Sequence, residues 1–174
     1  MDRHVGDAGA LAAFEAFLQG HERDVFGYLW RLTGDEQTAY DLCQETFIRA
    51  WQHFTKVEIY DNPGAWLFRV ATNLALNHRQ RRTVPTRPAT ELGEDESPAG
   101  VDLAGSLAQR DLIHQTLLRL PLRQRAALVL REVYGLSSSE IAHVLRVTPA
   151  AAKMAVSRAR GEFRRCYTLE EAGR

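Results

Sequence analysis

Cysteine is nearly absent: the 174 residues hold two, Cys43 and Cys166, far apart and in no C-x-x-C spacing. That excludes a disulfide framework and the common zinc spacings, and it fits a reducing cytoplasm. Cys43 falls on the apolar side of its helical stretch, a packing position. No apolar run reaches the about 18 residues that a membrane span needs, so membrane insertion is not expected. The opening Met-Asp-Arg-His-Val-Gly-Asp lacks the basic start and apolar run of a signal peptide. Also missing are a glycine-rich phosphate loop, a nucleophile beside a base, and a metal-ligand spacing, so neither an enzyme nor a bound cofactor or metal is expected. His21, His53, His78, His114 and His143 stand singly and suit surface or packing roles better than ligation. Nothing repeats internally.

An excess of one charge is missing too, with 22 Lys/Arg against 22 Asp/Glu. The balance conceals segregation. From Asp111 onward eleven Lys/Arg face six Asp/Glu, and Arg79, Arg81, Arg82 and Arg87 form a second basic cluster. Between them lie Glu91, Glu94, Asp95, Glu96 and Asp102. Local charge density, not the total, captures a phosphate backbone, so two basic regions about an acidic connector read as two polyanion contacts.

What the chain does have is helical periodicity. A first helix is predicted over 8–32, with Leu11, Phe14, Phe17, Leu18, Val25, Tyr28, Leu29 and Leu32 turned inward and Gly20 as a point of interruption. Gly34 and Asp35 then stop one helix and cap the next. The second, over 36–53, buries Ala39, Leu42, Cys43, Thr46, Phe47 and Ala50 and presents Asp41, Gln44, Glu45 and Arg49 on its other side. Periodicity admits both a solvated face and a docking surface there. Residues 54–62 read as a loop, and Pro63 opens a third helix over 63–82. On that helix Arg69, Asn73, Asn77 and Arg81 recur every four residues along one line. Asparagine competes for backbone hydrogen bonds and weakens helices, so this line does not serve helix stability. Amides and guanidinium groups can instead hydrogen-bond bases and phosphates. Of the nearby rings Trp30, Trp51, Phe54, Tyr60, Trp66 and Phe68, most are expected in the core.

Pro85, Pro88, Gly93, Pro98 and Gly100 mark 83–108 as a connector, flexible when free. Helical signal returns at Gln109 with Leu112, Ile113, Leu117, Leu118 and Leu120. Leu122, Ala126, Val129, Leu130 and Val133 then form a stripe ended by Gly135. Ser137 stands three residues before Glu140, a capping box that starts a short helix with Ile141, Ala142, Val144 and Leu145 inward. Thr148 and Pro149 open another, in which Ala152, Val156, Ala159 and Phe163 share one arc. Lys153, Ser157, Arg160 and Arg164 line one flank, with Met154, Arg158 and Arg165 further round. Helix, tight turn, helix is the shape of a duplex reader, whose second helix contacts base edges with its N-terminal residues. An ordinary three-helix unit with a solvated basic face has the same spacing. The fold class is therefore all-α: two small helical domains joined by a flexible acidic linker, the C-terminal one containing a helix-turn-helix. The domains are expected over 1–84 and 109–174, with the linker over 85–108.

Three stretches, in order, carry a family resemblance: residues 31–51, from Arg31-Leu32-Thr33-Gly34-Asp35 to Trp51; Pro63 to Ala75; and Leu120-Pro121-Leu122-Arg123-Gln124-Arg125 with Glu140-Ile141-Ala142 and Ser157-Arg158-Ala159-Arg160. Across 14–165 the chain resembles the extracytoplasmic-function sigma factors of bacterial RNA polymerase. The resemblance implies that Asp41, Gln44, Glu45 and Arg49 dock on the β′ clamp helices of core RNA polymerase, with the β flap as a second contact. It implies that Lys56, Tyr60, Asp61 and Asn62, with Arg69, Asn73, Asn77 and Arg81, capture flipped −10 bases. It gives −35 duplex reading to Arg123, Arg146, Thr148, Ala150, Lys153, Met154, Ser157, Arg158 and Arg160. Promoter DNA and an anti-sigma factor are further implied partners, and the linker would thread through the polymerase. The chain departs from the family pattern at Tyr40, where an acid is usual, and at Asn77, where Asp is frequent. Arg146 replaces a turn glycine, and Ala152, Met154 and Ala155 replace Val, Ser and Arg. No extra C-terminal domain is expected. Two other readings remain at this point: a conventional DNA-binding regulator that uses 1–82 to sense or dimerise, and an adaptor that binds protein only.

Overall fold

The computed structural model describes residues 3–57, 62–83 and 105–172. Among them there are eight helices and no strand: α1 (Arg3–Thr33), α2 (Glu36–Gln52), α3 (Phe54–Val57), α4 (Pro63–Thr83), α5 (Gly105–Arg119), α6 (Leu122–Glu132), α7 (Ser138–Leu145) and α8 (Pro149–Ala172). No helix is long and apolar enough to cross a membrane among these residues.

In the N-terminal module α1 packs against α2 and α4, and α2 against α4. Val25, Tyr28, Leu29, Ala39, Ala50, Leu67 and Ala71 form its buried centre. Burying a phenol demands a partner for its hydroxyl, and Tyr28 finds it in Thr72 Oγ1 at 2.7 Å. Phe14 packs edge-on against Phe54, ring centroids 5.2 Å apart. Three expectations are corrected here. Leu11 is 49% exposed, because the first turns of α1 extend past the helices that cover the rest. Gly20 does not interrupt α1: its penalty of about 1 kcal/mol is outweighed by packing further along the helix. The stretch expected as a loop from Phe54 begins with the short α3, because Phe54 is buried against α1. Asp35 caps α2 as expected, its side chain accepting from Thr38 N at 2.7 Å.

In the C-terminal module α6, α7 and α8 pack mutually, and α5 lies on α8. Helix α5 takes up the last four residues of the expected connector; residues 84–104 lie outside the described residues. Ile113, placed inward by periodicity, is 39% exposed. Gly135 has φ +68, and Leu136 N bonds back to Leu130 O at 3.0 Å, closing α6. The capping box is complete: Ser137 Oγ accepts from Glu140 N, and Glu140 Oε2 accepts from Ser137 N. The Ser137 backbone N–H, then the Ser137 hydroxyl and the Asn62 amide, hold the Glu140 carboxyl below the usual carboxylate range. Arg146 ends α7 at φ 54 and ψ 52, a left-handed conformation that costs a non-glycine residue about 1–2 kcal/mol. Thr148 Oγ1 accepts from Ala151 N at 3.2 Å and starts α8.

The two modules are packed together. Helix α4 rests on α7, and α1 on α5 and α6. Arg125, 5% exposed, donates to the Leu32 carbonyl of α1 and to the Leu118 and Leu120 carbonyls at the end of α5. Helix C-termini carry partial negative charge, which is why an arginine without a carboxylate partner tolerates this burial. Desolvation still lowers its pKa to about 10, with Arg79 adding repulsion. Trp30 stacks on His114 with ring centroids 3.8 Å apart, and the Tyr134 hydroxyl donates to the Asp24 carbonyl at 2.7 Å. Gly34, at φ +74, fits because a Cβ there would lie 2.6 Å from the Leu118 side chain of α5.

Candidate nucleic-acid interface

Three faces carry the residues singled out by the sequence. On α8, Ala152, Val156 and Ala159 are buried, which turns Lys153, Met154, Ser157 and Arg158 to solvent. Arg123, Arg146, Thr148 and Ala150 are exposed beside them. Arg160 differs: its guanidinium is paired with Glu132 at 2.6 Å. Both side chains of that pair are about half exposed, so the bond is weak and exchangeable. The arrangement is a convex basic ridge two turns long, whose centre is apolar at Met154, 53% exposed.

On α4, the line of four expected residues grades outward. Arg69 and Asn73 are half-buried, while Asn77 and Arg81 are exposed. Asn62 and Lys56 are exposed at the near end; Tyr60 and Asp61 lie outside the described residues. Asn62 also has a local task. Its Oδ1 accepts from Ala65 N at 2.9 Å, capping α4, while Pro63 takes the position where no donor is needed. Its amide Nδ2 donates to Glu140 Oε1 at 2.6 Å, and Arg69 Nη1 lies 3.2 Å from His143 Nε2. Both partners belong to α7. Sequence reasoning placed His143 and Glu140 only in the C-terminal module, and a separation of 74 and 78 residues left no local signal of the pairing.

On α2, Asp41, Gln44 and Arg49 are exposed and Glu45 half-exposed. Arg49 Nε pairs with Glu45 Oε1 at 2.8 Å, and Gln37 Nε2 donates to Asp41 Oδ1 at 3.0 Å. Beside this polar line runs a second one that periodicity did not mark: Tyr40, Ile48 and Trp51 are 51%, 52% and 42% exposed. Their spacing of eight and three residues, which returns to one side of a helix, was the available signal. Of the six rings expected mostly in the core, Phe54, Trp66 and Phe68 are buried there, and Trp30 is taken by His114. Cys43 is buried, and desolvation pushes its thiol up to about 11, away from reactivity. Among the described residues no group of His, Cys, Asp and Glu could hold a metal ion.

Residues 17–84 match the family model Sigma-70 region 2, and residues 110–162 match Sigma-70, region 4. SigL of Mycobacterium tuberculosis, an ECF RNA polymerase sigma factor, is 33% identical over 99% of this chain and 98% of its own length. SigG of the same organism is 30% identical over 86% of this chain, which spans only 47% of that longer protein. The sigma factor RpoE of Bartonella quintana, solved in complex with the anti-sigma factor NepR, shares the fold at a TM-score of 0.71 and 21% identity, over 90% of this chain and 98% of that one. An all-helical pair of modules matching both sigma regions in order, with a full-length relative above 30% identity, leaves one conclusion: this chain belongs to the ECF RNA polymerase sigma factors, which are transcription initiation factors and not enzymes.

Proposed function

We propose that this chain binds core RNA polymerase, directs it to promoters by reading −35 and −10 elements, and helps to open the DNA. Asp41, Gln44, Glu45 and Arg49 on α2 form the polymerase-docking face, with the apolar line Tyr40, Ile48 and Trp51 beside it. Lys153, Met154, Ser157 and Arg158 of α8, flanked by Arg123, Arg146, Thr148, Ala150 and Arg160, meet the −35 duplex. Arg69, Asn73, Asn77 and Arg81 of α4, with Lys56, Tyr60, Asp61 and Asn62 at its start, receive unpaired −10 bases. Unstacking a base costs a few kcal/mol, and a face that holds the extruded base offsets that cost.

The observation that carries the reading is the division of α8: a buried alanine–valine side and, on the other side, exposed cations at its N-terminal half. That is the geometry by which a second helix enters the major groove. An anti-sigma protein is proposed as a further partner, because the solved relative named above was captured with one. The test is run-off transcription from genomic promoters with purified core polymerase. Promoter-specific transcripts that depend on the added chain are expected, and Asn73→Ala should reduce promoter opening more than −35 duplex binding. Duplex binding by the chain alone, with no rescue of initiation, would favour a conventional regulator.

A further inference from the structure

The outermost line of α8 begins without a hydrogen-bonding side chain. Ala152, Val156 and Ala159 are buried, and at 3.6 residues per turn Ala150 and Met154 stand opposite them. Both are exposed, Met154 at 53%. Lys153 stands to one side of that line and Arg158 to the other, and Ser157 brings the first hydroxyl a turn further in. The pattern is an apolar crest between basic shoulders. A thioether and a methyl group gain from apolar contact and nothing from a phosphate.

Polar groups near the crest are engaged or absent. Thr148 Oγ1 accepts from Ala151 N at 3.2 Å, and the Arg160 guanidinium is held by Glu132 at 2.6 Å. From Pro149 to Arg158 there is no Asn, Gln, Asp or Glu. Base edges in the major groove are read in few ways. Asn or Gln pairs with adenine, Asp or Glu accepts from cytosine, Arg or Lys donates to guanine, and apolar groups meet the 5-methyl of thymine. The first two kinds of reader are missing from the leading turns of α8. The third stands on the shoulders, where phosphates compete for it. The fourth occupies the crest. Four residues of helix rise about 6 Å, close to two base steps of about 3.4 Å along one strand.

We propose that the −35 element of this chain is recognised through thymine 5-methyl groups, which Met154 and Ala150 contact in the major groove while Lys153 and Arg158 hold the flanking phosphates. The inference deepens the −35 assignment and rests on it. Met154 is the specificity residue. Its unbranched, polarisable side chain adapts to a methyl group, and its sulfur offers a cytosine amino group only a weak acceptor. A cytosine at that step loses water from its amino group and gains no partner in return.

The test uses the full chain assembled with core polymerase and duplexes randomised upstream of the −10 element. Selection should enrich a sequence with at least one thymine at a fixed upstream position. Replacing that thymine by deoxyuridine removes the methyl and keeps every hydrogen-bonding group. Holoenzyme binding should fall about fourfold for each contacted methyl removed. At the same step, 5-methylcytosine should be bound more tightly than cytosine. Met154→Ser should bind thymine and deoxyuridine duplexes alike; because Met154 is exposed, the exchange leaves the buried side of α8 intact. Arg158→Ala should weaken both duplexes and keep the ratio between them. A selected sequence whose thymines all tolerate deoxyuridine overturns methyl reading and leaves the −35 assignment standing. A deoxyuridine penalty undiminished in Met154→Ser overturns the role of Met154. Enrichment of no upstream sequence overturns the −35 assignment and this inference together.

Discussion

Helices α4 and α8 are built alike and situated differently. Each buries alanines and larger apolar residues on one side and carries arginines with hydrogen-bonding or apolar neighbours on the other. Yet Lys153, Met154 and Arg158 of α8 face solvent, whereas Arg69 of α4 is half-buried against His143. A polar face on an amphipathic helix is therefore not yet an accessible face. The face proposed for paired DNA is displayed from the start; the one proposed for unpaired bases is partly engaged by its own chain.

The strongest way to break that contrast is to remove one partner. Ala152 is fully buried beneath α8, and an unpaired carboxylate placed there by Ala152→Asp should cost on the order of 3 kcal/mol or more. Helix-turn-helix structure and −35 duplex binding should be lost, with the helices of 3–83 retained in circular dichroism and hydrogen exchange. Loss of α4 protection in the same variant would show that the two modules fold as one unit, and the contrast would lose its meaning.

A smaller effect is expected at the turn that sets α8 against α7. Arg146 occupies a left-handed conformation at φ 54, and Arg146→Gly should stabilise the C-terminal module by about 1 kcal/mol. A rise in urea midpoint with an unchanged slope would record it. A fall in the midpoint would mean that the arginine side chain contributes more than its backbone costs.

The smallest effect concerns the seam between the two modules and pH. Burial lowers the His114 pKa; the Trp30 carbonyl raises it, Arg31 and Arg125 lower it, and Asp111 raises it. The closed form thus binds fewer protons than the open one around the ordinary histidine value of about 6.5. A depressed pKa contributes closure that is complete above that value and is lost as pH falls below it. The radius of gyration should grow slightly between neutral pH and mild acid, and His114→Phe, which keeps a ring against Trp30, should remove its part of the dependence. An unchanged slope in that variant would assign the titration elsewhere on the seam.

Much of the fold was legible in residue order because its signals act over three or four positions. Asp35 before α2, Ser137 with Glu140 before α7, and Thr148-Pro149 before α8 each perform the capping that their residue types announce. Gly34 and Gly135 both adopt positive φ where a stop was read. The misplaced residues share a cause. Leu11 and Ile113 satisfy helical periodicity but have no neighbouring element to cover them, and Tyr40, Ile48 and Trp51 lie off the stripe that periodicity selects. Of the candidate faces, the α8 ridge followed directly from its buried arc, whereas the double duty of Asn62 did not.

Residue order by itself determined the helices, their ends, the side each turns to its own core, and the two basic regions with acids between them. Caps and apolar spacing are interactions of near neighbours, and they are written where they act. Only the tertiary structure decided that Arg125 ties α1 to α5, that Trp30 lies on His114, and that α7 reaches Asn62 and Arg69. The bonds among these that cross between modules join residues 74 to 93 positions apart, and spacing carries no record of which surfaces meet at that distance.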